Sequence, residues 1–309
     1  MTALLAGELH RLLARRLVRV LLLLAVLGIA LAGVLTFVNT DKTDTANVEA
    51  RRREVQREFS ECFDRSSGRP AAPRVVEGPS GPGRPATPCN IDTGGTDDNS
   101  FPLTDLAGIL KGTTAPLVIV AWLLGASAIG ADWQSRTLTT LLTWEPRRVR
   151  VLLAKAAAAM IVSALFFLVV QALLAAALLP SILAHGTTDG AGAGWIGTLA
   201  GVVGRGGVMV AVAAGIGFAL ASVGRNTSAA MGIGFAYVVV IEQVVGGFLE
   251  DWRRWLLLGN IIVFVSGENG SGGDGVPGRS VLGAGIFLTA VSIGLLLVAA
   301  AIFRRRDVA

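Results

Sequence analysis

Long apolar runs, separated by short polar stretches and one long polar block, dominate the pattern along this chain. Six runs of about 16 to 24 residues carry no formal charge, which at about 1.5 Å per residue suits a hydrocarbon slab of about 30 Å. They predict membrane spans at 20–38, 112–131, 156–179, 206–224, 226–249 and 280–303. The fifth continues past Glu242, and only a turn at Arg225 separates it from the fourth. The expected fold is therefore an all-α integral membrane protein with six transmembrane helices.

The polar remainder has its own organisation. Residues 1–19 read as an amphipathic helix, with Leu4, Leu5, Leu12 and Leu13 opposite Glu8 and Arg15. The block 39–111 is an insertion between spans 1 and 2. Within it Val48, Val55, Phe59 and Cys62 recur at helical spacing, and the Pro/Gly/Arg-rich 66–88 reads as an irregular linker. The stretch 132–155 joins spans 2 and 3, 180–205 and 250–279 are loops on the other side, and 304–309 is a tail.

Charge sets the orientation, because short loops rich in Lys and Arg stay in the cytoplasm. With the N-terminus inside, that side collects Arg11, Arg15, Arg16 and Arg19, then Arg136, Arg147, Arg148, Arg150 and Lys155, then Arg225, then Arg304, Arg305 and Arg306. Both termini are expected in the cytoplasm and 39–111 outside it, in a multi-pass protein of the cell's inner (plasma) membrane. The first apolar run is longer than a cleavable signal segment of about 7 to 15 residues, so it is read as a retained span. Composition agrees, with 52% hydrophobic and 16% charged residues. The net charge of +5 is scattered between apolar runs, with no basic stripe interleaved with aromatics, which argues against a nucleic-acid partner.

Catalytic chemistry is hard to build here. The two histidines, His10 and His185, are too few for a His-based metal cluster and lie far apart for a nucleophilic triad. No G-x-x-x-x-G-K-[ST] loop occurs, so ATP hydrolysis would need another chain. Cys62 and Cys89 are candidates for a disulfide closing about 28 residues, which contributes about 3 kcal/mol in the chain-entropy model, with two free thiols as the alternative. Glu242 is the carboxylate well inside a span, and Arg205 falls at a similar height on the preceding one. An Arg205–Glu242 ion pair is expected there, against direct contact of Glu242 with substrate or a lone protonated Glu242. Small residues around Ala211, Gly215, Gly201, Gly206, Gly283 and Gly285 point to close helix packing.

The stretch GADWQSRTLTTLLTWEPRRVRVLLAK, Gly130 to Lys155, is the most informative. Leu138, Leu141 and Leu142 share one side of a short helix that Pro146 ends, with Gln134, Ser135, Thr139 and Thr140 opposite. A basic topogenic loop beside lipid headgroups is the plainer alternative. These residues resemble the transmembrane subunits of ABC type-2 exporters. The acidic-aromatic pair is matched by Asp132 and Trp133, the following helix by Arg136, Thr137 and Leu138, the Pro-x-x-Arg element by Pro146 and Arg148 or Arg150, and the entry to span 3 by Leu152 and Lys155. Arg136 stands where glycine is common. Arg225-Asn226-Thr227 resembles the family's turn into span 5, and Phe303-Arg304-Arg305-Arg306-Asp307 its ending.

The resemblance implies a permease that is not itself an enzyme. It works as a homodimer or pseudo-dimer in the bilayer and binds no cofactor of its own. ATP and Mg sit on a separate ABC ATPase, and the helix 134–143 is the coupling helix that ATPase grips. Asp132, Trp133, Arg136, Thr137, Leu138, Leu141, Leu142, Pro146 and Arg148 are the implied coupling residues. Apolar spans favour a lipid, drug-like or peptide substrate over sugars or ions, moved outward. Two other readings are an ion-coupled transporter, which would ordinarily show paired broken helices and several buried charges, and an accessory or sensor protein built around 39–111.

Overall fold

The computed structural model describes residues 2–39, 53, 57, 103–135, 137, 147–185, 192–245, 248, 250–269, 276 and 278–305, and every regular element among them is helical. The elements are α1 (Thr2–Leu13), α2 (Arg16–Asn39), α3 (Leu106–Gln134, entered by the 3-10 turn Leu103–Asp105), α4 (Arg148–His185) and α5 (Ala193–Gly224). Then come α6 (Thr227–Ala236), which continues as a π-helix over Tyr237–Val245, α7 (Leu257–Ser266, preceded by a 3-10 segment Glu250–Trp255) and α8 (Val281–Arg305). Among the described residues six helices are long and apolar enough to cross a membrane, as the pattern predicted. Arg136, Leu138, Leu141, Leu142, Pro146, Cys62 and Cys89 lie outside the described residues, as do nearly all of 39–102, including the helical spacing around Val48 to Cys62.

α5 is the axis of the bundle, packing against α3, α4 and α8. Two thirds of its most apolar window is buried, against 6% for α2, which lies on the outside against α4. The tightest seam is α3 on α5. A Cβ at Gly125 would collide with the backbone of Ala214, and one at Gly217 with the backbone of Trp122. Backbones in lipid gain contact only where side chains are absent, so glycines on both helices permit this approach. At the glycines read from the sequence, neighbouring side chains fill the space instead: Phe167 at Gly206, Ser292 at Gly215 and Phe264 at Gly285.

Two elements differ from expectation. α5 begins at Ala193 rather than 206, although Gly194, Gly197, Gly201 and Gly204 weaken helix propensity. Trp195, Leu199 and Val202 pack there onto Leu106, Leu110, Leu174, Leu178 and Ile182, and that burial outweighs the propensity cost. The expected loop 250–279 holds α7, whose ten residues are too few to span, and which returns to pack on α8 and α5 with Asn260 and Val263 buried. The Asn260 Nδ2 donates locally to the carbonyls of Arg254 and Leu256 at 3.0 and 2.7 Å, while its Oδ1 is buried without a partner among the described residues.

Candidate functional site

α1 and the last turns of α8 share a core cluster at the end of the bundle where α3 ends and α4 begins. α1 lies against this end. Its inward face is Leu5, Glu8, Leu9 and Leu12, the i, i+3, i+4, i+7 stripe that 3.6-residue periodicity places on one side. The structure thereby corrects the expected amphipathic face. Glu8 is 7% exposed and belongs to the buried stripe, whereas Leu13 is 48% exposed.

Glu8 is buried because it has a partner. Lys155 Nζ, from the second turn of α4, donates to Glu8 Oε1 at 2.6 Å and to Asp132 Oδ2 at 2.8 Å. Asp132, in the last turn of α3, also accepts from Arg11 Nη2 at 2.8 Å and Arg15 Nη2 at 2.9 Å. Arg15 further donates to the carbonyls of Ser127 and Ala128 at 2.8 and 3.2 Å, and Arg11 reaches Thr137 Oγ1 at 3.3 Å. Burial draws the Arg15 guanidinium below its ordinary pKa, and the adjacent Asp132 charge opposes that shift. Three cations thus surround two carboxylates, with Lys155, Asp132 and Glu8 all under one tenth exposed. Unpaired, any one of them would carry a desolvation penalty of several kcal/mol.

The same end of α3 holds the turn between α5 and α6. Arg225 caps α5 in the left-handed region, at φ 55°, where glycine is the usual residue. Its guanidinium lies over the Trp133 ring, 5.0 Å from the centroid, which offsets that backbone cost. Asn226 caps α6, its Oδ1 accepting from Ser228 N at 3.0 Å and from Gln134 Nε2 at 3.2 Å. A Cβ at Gly130 would strike Thr227, so the turn sits directly on the α3 backbone. Trp133 also meets Phe303 of α8 edge-on at 6.0 Å. The last turn of α3 therefore touches α1, α4, the α5–α6 turn and α8 together.

Of the coupling residues expected from the sequence, Asp132, Trp133 and Thr137 gather at this junction, and Arg148 opens α4. Sequence reasoning had Glu8 and Arg15 as polar-face residues, and counted Arg11 and Arg15 among the topogenic charges. The signal for Glu8 was present, as a carboxylate interrupting an apolar stripe at 5, 8, 9 and 12.

The other expected pair does not form. Glu242 Oε1 accepts from Leu258 N at 2.8 Å and Tyr237 Oη accepts from Leu257 N at 3.1 Å, so both side chains cap the first turn of α7. The π-helix brings positions five apart onto nearly one face, aligning Tyr237 with Glu242 for this purpose. Arg205 lies instead beside Gly201 and Gly267. The estimate from helical rise had matched the heights of Arg205 and Glu242, but it could not foresee the returning α7, whose amide donors claim the carboxylate. Among the described residues no group of three or more His, Cys, Asp or Glu is arranged to hold a metal ion.

No curated protein and no solved structure matches the chain significantly. The family model described as ABC-2 family transporter protein matches residues 2–308. With six membrane helices and a match over nearly its whole length, the chain belongs to the ABC-2 transporter family as a transmembrane permease subunit.

Proposed function

We propose that this permease is the transmembrane half of an exporter in the plasma membrane, with both termini in the cytoplasm. Two copies, or this chain and a related permease, enclose a pathway for a lipid, drug-like or peptide substrate. A separate ABC ATPase binds and hydrolyses ATP and grips the 132–155 segment. The observation that best supports this reading is the Asp132–Lys155 ion pair at 2.8 Å, which ties the end of α3 to the start of α4 at the base of that segment. A push on the segment then moves α3, α4 and, through Glu8, α1 as one piece. Trp133 and Gln134 carry the displacement to the α5–α6 turn. Such a switch needs differential contact energy between two states, which ATP binding by the partner supplies.

The test is co-purification of the ATPase with the full-length permease. A Leu138→Asp, Leu141→Asp variant should lose the ATPase while the permease still inserts and melts like wild type. Undiminished recovery of the ATPase with this variant would refute the coupling assignment. Direction is read separately, from substrate accumulation in inverted vesicles on adding ATP.

A further inference from the structure

Arg205 has no role in the junction described above, and it lies at the opposite end of the bundle. It precedes Arg225, at the α5–α6 turn, by twenty residues of continuous helix and a cap, about 30 Å at 1.5 Å per residue. That matches the thickness of a bilayer's hydrocarbon core, so Arg205 stands level with the headgroups of the outer leaflet. Its side chain crosses the C-terminal end of α7. A Cβ on Gly267, the left-handed cap of α7 at φ 73°, would collide with the guanidinium, and a Cβ on Gly201 would come within 3.1 Å of Nη1. The partial negative charge of the α7 carbonyl end favours a cation there.

The guanidinium nonetheless has no hydrogen bond or ion pair with any described residue. Its Nε is buried without a partner, while the terminal Nη groups are not among the buried orphaned atoms. Lys111 and Arg279 do have partners, although Arg279 Nε is likewise buried without one among the described residues. Lys111 Nζ contacts Glu268 Oε1 at 3.3 Å. Arg279 Nη2 donates to the Gly283 carbonyl at 3.2 Å, and its guanidinium lies over Phe287. Glu268 adjoins Gly267, yet it serves Lys111 rather than Arg205. A permanently charged, half-buried fork of donors suits a tetrahedral oxyanion held at two points. Phosphate is the anion concentrated at this depth. Val208, on the same face and about one turn nearer the bilayer centre, is 49% exposed, so apolar surface continues inward as an acyl chain requires.

We infer that Arg205, where α5 meets the C-terminal end of α7, is a binding site for the phosphate of an outer-leaflet phospholipid headgroup. The site rests on the proposed orientation of the bundle, which puts this end outside, but not on which substrate moves or in which direction.

The experiment uses the full chain purified in a neutral detergent, with binding of short-chain phosphatidylglycerol measured by native mass spectrometry. Loss of a charge-assisted two-point contact should weaken binding about tenfold or more in Arg205→Gln. Arg205→Lys keeps the charge at the end of α7 but not the fork, so binding should fall between the two; if Arg205→Gln does not fold, this variant decides. Arg279→Gln, altering a cation already engaged, should bind as wild type does. Inorganic phosphate at the same concentration should not displace the lipid. The inference is overturned if Arg205→Gln, or Arg205→Lys where that variant decides, binds like wild type. It is also overturned if Arg279→Gln weakens binding equally, since diffuse surface charge would then suffice, or if inorganic phosphate competes on equal terms, since the ligand would then be the free ion.

Discussion

Replacing Asp132 by asparagine removes one charge from the junction and changes almost nothing in shape. Three cationic groups lie within 2.9 Å of this carboxylate, which is 1% exposed. Breaking a buried pair by removing one partner costs about 3–5 kcal/mol, because the remaining charge stays buried. The residual partners point to the lower end of that range. Lys155 keeps Glu8 at 2.6 Å, Arg15 keeps two carbonyls, and Arg11 is 38% exposed on its side chain and so can be solvated. About 3 kcal/mol is expected, measured as a loss of unfolding free energy when the purified permease is denatured and followed by tryptophan fluorescence. Lys155→Met should cost a similar amount, because Glu8 is then left with Arg11 at 3.9 Å. The double variant should be more stable than the sum of the single effects by roughly 1–3 kcal/mol, the coupling of residues in one network. An Asp132→Asn protein within about 0.5 kcal/mol of wild type, or strict additivity in the cycle, would refute the account of this junction.

Three further outcomes follow from the same geometry. Glu242→Gln keeps an acceptor for Leu258 N but loses the charge at the start of α7, so a loss of about 0.5–2 kcal/mol is expected, read as faster amide exchange in 257–266 with exchange in α3 unchanged. Arg225→Ala keeps the left-handed backbone cost and loses the contact with Trp133, lowering stability by about 1 kcal/mol, whereas Arg225→Gly should be near neutral because glycine relieves the backbone as the ring contact is lost. Gly125→Leu drives a side chain into the Ala214 backbone and should prevent assembly of α3 on α5, seen as failure to recover monodisperse protein, while Gly112→Leu, which faces open space, is tolerated.

How far the sequence carried is best judged residue by residue. Spans were legible because length and apolarity are one-dimensional quantities, and a run either crosses about 30 Å or does not. α7 escaped for the same reason. LLGNIIVFVS is too short to count as a span, and its return to the bundle depends on contacts with α5 and α8 that no local pattern encodes. Asp132 was singled out from the family resemblance, and Lys155 from it and as one of the charges that set the orientation. That they touch is a tertiary fact, fixed by α3 and α4 running antiparallel from a common loop. Glu8 was misplaced because a carboxylate among leucines was assigned to solvent by type rather than to the core by position. A charged residue at a core position of a helical stripe asks for a partner, and candidates of opposite sign stood at the ends of neighbouring spans.

The two clusters of charge differ in a way that bears on how such a protein moves. At the end where α1 meets α3 and α4, each buried charge among the described residues is answered within the chain, so these helices are bound by contacts that strengthen as water leaves. Displacing one of these helices without the others would strand a charge in an apolar place, at a cost larger than that of moving them together. Near the other end, Glu242 and Tyr237 hold α7 by two hydrogen bonds to its first turn, and Arg205 contributes no ion pair to a described residue. α7 is held instead mainly by apolar packing on α5 and α8, with Val263 buried. On the proposed function, a push on the 132–155 segment would therefore move α1, α3 and α4 as one unit, because separating them strands a buried charge.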